Sequence, residues 1–407
     1  MRGLPWENFT ALTRRISPDQ QRAAAIAAVT HALHDGYTDL IYIMLPLWQA
    51  EFGLDYAALG VLRGVFVGAM ACLQIPAGFA SEKLGAALVL ALGTALAGLG
   101  YCLAGLSAGF AMLLGALFIG GLGASTQHPI ASALVARAFA GPRSLKALGT
   151  YNFAGDIGKM TLPAALSLML LALAWRPALA ILGCLGFVLA AVILVVTPRY
   201  DRDGIAESKV EMKIAAEPPR RRFAFPLLLT IGIIDSATRM GFLLFLPFVL
   251  TQKGASLQTV GLALTLVFTG GAAGKLACAF LGARIGAIGT VWLTEGMTAI
   301  GILALMPLPL RAALVLLPVI GVALNGTSSV LYGSVPSLVV PQWRTRALSI
   351  FYTGTIGAGA LAPTLYGVVG DAFGVWKALT LVAVMVLLTL PLAALLRPAL
   401  PYGSGMA

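Results

Sequence analysis

Apolar residues run for twenty or more positions at a time along this chain, separated by short polar or Gly/Pro-containing breaks. Runs of that length are membrane-spanning helix candidates, because about 20 helical residues cross the hydrocarbon core of a bilayer. The pattern predicts twelve, near 24–48, 56–79, 87–107, 110–136, 147–173, 177–197, 225–250, 257–281, 287–306, 311–336, 347–370 and 375–396. One break is long. It runs from Pro198 to Phe223 and holds Arg199, Arg202, Lys209, Lys213, Arg220, Arg221 and Arg222. The expectation is an all-α membrane protein with a lead-in over 1–23 and a six-helix half over 24–197. A basic linker over 198–223, a second six-helix half over 224–397 and a tail over 398–407 complete it.

Polar positions inside these runs are the informative exceptions. An ionisable group at the bilayer centre costs about 2.5–3.5 kcal/mol on insertion scales, so such groups face a wet cavity, pair with each other, or both. Span 1 carries His31, His34, Asp35 and Asp39 within nine residues. At about 100° per residue, His31, Asp35, Thr38, Asp39 and Tyr42 share one helix face, with His34 at its edge. Asn152, Asp156, Lys159 and Pro163 share a face of span 5, with Asp156 and Lys159 at i,i+3. In span 7, Asp235 and Arg239 stand at i,i+4 with the acid first, the favourable order. Asp235 also follows Asp35 by 200 positions, so each half opens with an acid. Arg63, Lys275 and Glu295 complete the set within spans. Plainer roles compete with a site: neutralising ion pairs for spans 5 and 7, helix packing for Glu295, the water interface for His34, and for Arg63 a head reaching the outer surface.

Span 4 looks broken. Gly120-Gly-Leu-Gly123 is followed by Ser125-Thr-Gln127-His128-Pro129. Pro129 has no N–H, which frees the carbonyl of Ser125, and the small residues admit a close neighbour. Asn325-Gly-Thr-Ser-Ser329 occupies the corresponding place in span 10, with Ser328 opposite His128. Interrupted polar helices at matching points of two halves point to a transport site; packing glycines and capping hydroxyls are the plainer account.

Composition agrees. Of 407 residues, 59% are hydrophobic and 11% charged, against about 25% charged in soluble domains. Mean hydropathy is +0.91. The net charge of +11 has a spatial explanation. With the N-terminus inside, nineteen of the 27 Lys and Arg are cytoplasmic: Arg2, Arg14, Arg15, Arg22, Lys83, Arg137, Arg143, Lys146, the seven of the linker, Arg284, Arg344, Arg346 and Arg397. Only Arg176, Lys253, Arg311 and Lys377 fall outside. This is the positive-inside pattern of an inner-membrane protein with both termini cytoplasmic, and it leaves no basic surface to assign to nucleic acid. The polar lead-in lacks the apolar core of a signal peptide, and Trp6 and Phe9 fit a short interfacial helix. Cys72, Cys102, Cys184 and Cys278 are scattered singly through apolar runs, without metal or redox spacing.

The halves repeat. Ala147, Leu148 and Pro163 recur as Ala347, Leu348 and Pro363; Gly60, Phe79, Gly85 and Ala86 recur one residue further on as Gly261, Phe280, Gly286 and Ala287. Six spans repeated in parallel around a basic linker is a layout of secondary transporters. The chain resembles the major facilitator superfamily over essentially its whole length. That family has a Gly-x-x-x-Asp-Arg-x-Gly loop after span 2; here Gly78, Glu82, Lys83 and Gly85 keep the pattern in kind, and the second copy keeps Arg284 and Gly286 with Ala283 in place of the acid. Within the family the chain resembles the fosmidomycin-resistance-type exporters, through His and Asp in span 1, Leu45-Pro-Leu47, Gln49 to Leu54, and the Gly-rich run ending in His128-Pro129. It departs from them in span 5, where Leu162-Pro163 stands for a Gly-Pro pair and Asp156 and Lys159 replace small or polar neighbours.

The resemblance implies a monomeric twelve-helix carrier working by alternating access. Buried carboxylates beside basic groups imply proton coupling, assigned to Asp35, Asp39 and Asp235. The expected solute is a small organic anion or drug, with export favoured. His31, His34, Tyr42, Arg63, Gln127, His128, Asn152, Asp156, Lys159, Arg239, Lys275 and Asn325 are the expected contacts. No ATP motif, cofactor motif or catalytic constellation is present in the sequence. Two alternatives stand: a divalent transition-metal carrier using His31, His34, Asp35, Asp39 and His128, and a non-transporting sensor of the same fold.

Overall fold

The computed structural model describes residues 16–139, 142–198, 223–340 and 343–399. The lead-in with Trp6 and Phe9, the seven linker cations and all but the start of the tail lie outside the described residues. Twelve helical spans are present, and no strand occurs among the described residues. Spans 1 to 6 are Pro18–Phe52, Tyr56–Leu84, Ala86–Gly105, Phe110–Ala138, Pro142–Met169 and Trp175–Val196. Span 7 is Ala224–Gln252; one run, Leu257–Leu305, turns at Gly286 to give spans 8 and 9. Spans 10, 11 and 12 are Leu310–Ser334, Arg344–Phe373 and Val375–Ala399. Among the described residues ten of these are long and apolar enough to cross a membrane. The two others, spans 1 and 5, are those that carry the His/Asp stripe and the Asp156–Lys159 face.

Local chemistry sets the ends. Ser17 and Gln20 form a reciprocal capping box at the start of span 1. Asp55 and Ser256 cap spans 2 and 8 from equivalent positions. Gly53 and Gly254 take positive φ where spans 1 and 7 end, as do Gly85 and Gly286 after spans 2 and 8. These pairs fix the offset at 201 residues for spans 1 and 2 against 7 and 8. The offset of 200 that aligned Asp35 with Asp235 is therefore one step out: Asp235 corresponds to His34, and Asp35 to Ser236.

Span 4 breaks where proline predicts, between Ala124 and Gln127. Span 10 does not break at Asn325–Ser329. It lacks a proline there, and its Ser328 and Ser329 hydroxyls bond back to the carbonyls of Asn325 and Gly326.

The two halves meet along spans 2 with 11 and 5 with 8. At the end of the bundle away from the described termini, spans 2 and 11 touch backbone to backbone: a Cβ on Gly60 would lie 2.5 Å from Pro363, and one on Gly64 2.5 Å from the Ala360 carbonyl. One turn further, at Gly68, nothing lies within 4 Å. There the spans diverge around a cleft lined by Cys72 and Ile75 on one side and Leu348 and Thr353 on the other. The bundle is thus closed at one end and open toward the side that bears the termini.

Candidate functional site

The divergence leaves a cavity of about 320 Å³ between the halves. Spans 1, 2, 4, 5, 7, 8, 10 and 11 line it; spans 3, 6, 9 and 12 do not. Its walls carry most of the intramembrane charge. Acids and bases alternate, each within ion-pair distance of another.

Asp35 is the hub. Lys159 Nζ lies 3.3 Å from its Oδ2, His31 Nε2 3.4 Å from the same oxygen, and His128 Nε2 3.9 Å from Oδ1. His31 Nδ1 is 2.8 Å from the Tyr151 carbonyl, so that nitrogen carries hydrogen and donates, leaving Nε2 aimed at the carboxylate. The His31 ring stacks on Tyr151 at 4.1 Å and meets the His128 ring edge-on at 5.2 Å. Gly155 admits this cluster, since a Cβ there would stand 2.7 Å from Asp35.

Arg63 is 2% exposed, so it does not reach the outer surface. Its Nη2 is 3.5 Å from Asp39 and its guanidinium lies over the Tyr42 ring at 5.0 Å, while Nε and Nη1 have no hydrogen-bond partner. Arg239 pairs with Asp235 at 2.8 Å, as the i,i+4 spacing predicts. The i,i+3 pair of span 5 is different. Asp156 is bonded across the interface to Lys275 of span 8, at 2.6 and 2.8 Å, while Lys159 turns to Asp35. A ladder of polar contacts continues this interface toward the closed end, from Thr265 to the Met160 carbonyl and from Gln258 to the Ser167 carbonyl.

Of the residues named from sequence, Asp35, Asp39, Arg63, His128, Asp156, Lys159, Asp235, Arg239, Lys275 and Asn325 line the cavity. His31 supports Asp35 from behind. Tyr42 lies under Arg63, and its hydroxyl faces Met240 Sδ. His34 points away, donating from Nε2 to Thr94, whose own hydroxyl is committed to the Leu90 carbonyl. Gln127 is fully buried and Asn152 is exposed, and neither lines the cavity. Glu82, Lys83 and Arg284 are exposed at the ends of spans 2 and 8, beside the turns at Gly85 and Gly286. Tyr332, Tyr352 and Thr355 line the cavity without having been singled out. At the offset of 200 that relates spans 5 and 11, Tyr352 corresponds to Asn152, which was the available signal.

The metal alternative narrows. One ligand atom each from His31, Asp35 and His128 can lie within 4.8 Å of one another, but Asp39 and His34 are not in the group. Lys159 already places a fixed cation on the same carboxylate.

A sequence profile described as Major Facilitator Superfamily matches residues 27–234, just over half of the chain. The chain is similar to the fosmidomycin resistance protein of Escherichia coli (strain K12), 26% identical over 354 residues that cover 84% of this chain and 85% of that protein. Its fold matches a bacterial homolog of the human lysosomal transporter Spinster in an inward-facing, unoccupied conformation, with TM-score 0.78 and 15% identity over 94% of this chain and 98% of that one. It also matches a D-xylose-proton symporter, with TM-score 0.73 and 16% identity over 95% and 99%. The chain belongs to the Major Facilitator Superfamily, as a multi-pass membrane transporter of small solutes.

Proposed function

We propose that this transporter is proton-coupled and carries a small organic anion through the central cavity as a monomer in the inner membrane, with both termini cytoplasmic. The supporting observation is the pairing of its charges. Asp35 holds Lys159, and Asp156 holds Lys275 from the other half. A proton on Asp35 cancels its hold on Lys159, and His31 Nε2 is placed to accept the hydrogen of the resulting carboxyl. Lys159 then has Asp156 one turn away on its own helix. Engaging it releases Lys275, and with it an ionic tie between the halves. A proton at Asp35 thereby loosens the span 5–8 contact and leaves a lysine for an anionic group. His128, Asn325 and the Tyr332–Thr355 pair supply polar contacts around it. Asp39, held by Arg63, is the second coupling acid.

Export is the direction favoured by likeness to a resistance protein. It requires that proton and solute occupy the site in turn; joint occupancy would drive the solute inward with the proton. Solute flux in vesicles with imposed pH gradients of either sign distinguishes the two. The coupling itself is tested by Asp35→Asn, which should abolish gradient-driven accumulation and leave solute exchange partly intact; accumulation at the wild-type level removes Asp35 from the mechanism. Cysteine at Ser208 should react only from the cytoplasm, and labelling from outside intact cells overturns the orientation. A divalent transition-metal cargo is supported by the converging His31, Asp35 and His128 donors and opposed by Lys159, because an ammonium beside the carboxylate repels a dication. Metal found by elemental analysis of the purified protein and lost in Asp35→Asn would reverse this choice.

A further inference from the structure

A second group of buried ionisable side chains joins spans 7 and 9. Glu295 is 1% exposed, does not line the cavity, and its Oε1 has no hydrogen-bond partner. Its carboxyl lies beside that of Asp235 and beside Thr327, whose own hydroxyl is bonded to Thr294 at 2.7 Å. Asp235 is 4% exposed, and one of its oxygens accepts from Arg239 at 2.8 Å. Cys278 of span 8 and Tyr332 of span 10 are the further titratable side chains near the pair.

The repeat shows how the pair arises. At a spacing of 201, Asp235 and Glu295 correspond to His34 and Thr94, which touch at 3.0 Å in the first half. There the partners are an imidazole and a hydroxyl, and the imidazole Nε2–H donates to the hydroxyl oxygen. In the second half two acids stand in the same relation. Fully ionised, they would set two negative charges against one guanidinium with almost no access to water at either acid. Carboxylates in contact and away from water do not both ionise. One further positive charge balances the group.

We propose that Asp235 and Glu295 hold one proton between them, forming a proton-binding site in the second half separate from Asp35. The hydroxyl of one carboxyl donates to the other carboxylate, and Arg239 neutralises the charge that remains. A proton fits better than a metal cation here, because the guanidinium already bound to Asp235 repels any ion that must also sit between the oxygens. The site does not depend on coupling through Asp35 and fails or stands independently of it.

Infrared spectroscopy of the full-length protein reconstituted in lipid at neutral pH tests the assignment. The expected result is a protonated-carboxyl C=O stretch, shifted by deuterium exchange, that is kept in Asp35→Asn and lost in Glu295→Gln. If Glu295→Gln does not fold, Glu295→Thr, which installs the residue of the equivalent position, serves instead. Absence of the band from the wild type, or its survival in the Glu295 variant, overturns the proposal. So does a sodium-dependent rise in melting temperature that the Glu295 variant abolishes, since a metal cation would then fill the place of the proton.

Discussion

The closed end of the bundle is held in part by one carboxylate. Asp371, in the last turn of span 11, accepts from the backbone N–H groups of Tyr56 at 2.7 Å and Ala57 at 2.9 Å. These are otherwise unpaired donors of the first turn of span 2, where the helix dipole also favours an anion. The two residues belong to opposite halves, so the bonds exist only while this end is shut. Asp371→Ala removes both. The site is exposed and water can take over the N–H groups, which puts the cost at the level of a lost helix cap, about 1–2 kcal/mol. At about 1.4 kcal/mol per factor of ten, the ratio of closed to open at this end should fall roughly 5–30-fold. Spin labels at Ala108 and Arg311, exposed at this end in the first and second halves, report the separation by double electron–electron resonance. Asp371→Ala should raise the longer-distance population, and Asp371→Asn, which keeps one acceptor, should have a smaller effect. Superimposable distance distributions in wild type and Asp371→Ala would refute the latch.

Asp156→Asn and Lys275→Gln should each lower thermal stability by about 1–3 kcal/mol, because each strands a charge, and the double variant should recover part of the loss; purely additive melting shifts would deny the cross-half pair. Gly158→Ala should destabilise by about 1–3 kcal/mol, since its Cβ would stand 1.8 Å from the Ala32 carbonyl, whereas Gly149→Ala in the same span, with nothing within 4 Å, should not. Thermal unfolding in one detergent compares the two. His34→Gln should alter stability more than solute affinity, because His34 faces Thr94 and not the cavity, and a selective loss of solute binding would contradict its placement.

The number of spans, the repeat and the polar face of span 1 were legible because each is local. A helical run reports its own length, and a 3.6-residue period reports its own face. Proline at 129 announced the break in span 4 for the same reason. The hydroxyl-rich stretch of span 10 misled, because serine and threonine satisfy themselves on the helix as readily as they interrupt it. Depth was not legible: nothing in the sequence distinguishes Arg63 buried under Tyr42 from an arginine at the surface. Nor was the facing of His34, which lies at the edge of the stripe and is turned by Thr94 away from the cavity. Glu295 remained a lone polar residue until span 9 was packed against span 7.

Pairing is the property that spacing could not decide, and span 5 shows why. Asp156 and Lys159 are placed to bind each other on one helix, yet each is drawn to a partner on another: Asp156 to Lys275 and Lys159 to Asp35. Separate partners keep four charges neutral and join two halves at once; the local pair keeps only two neutral and joins nothing. The local pair becomes favourable when Asp35 loses its charge, because Lys159 then has no better acid nearby. Under the proposed coupling, the spacing in span 5 corresponds to the pairing of the protonated state, and the cross-helix pairs correspond to that of the ionised one. The proposed coupling needs both, since the exchange between them would convert a proton at one side chain into a change of contact between halves.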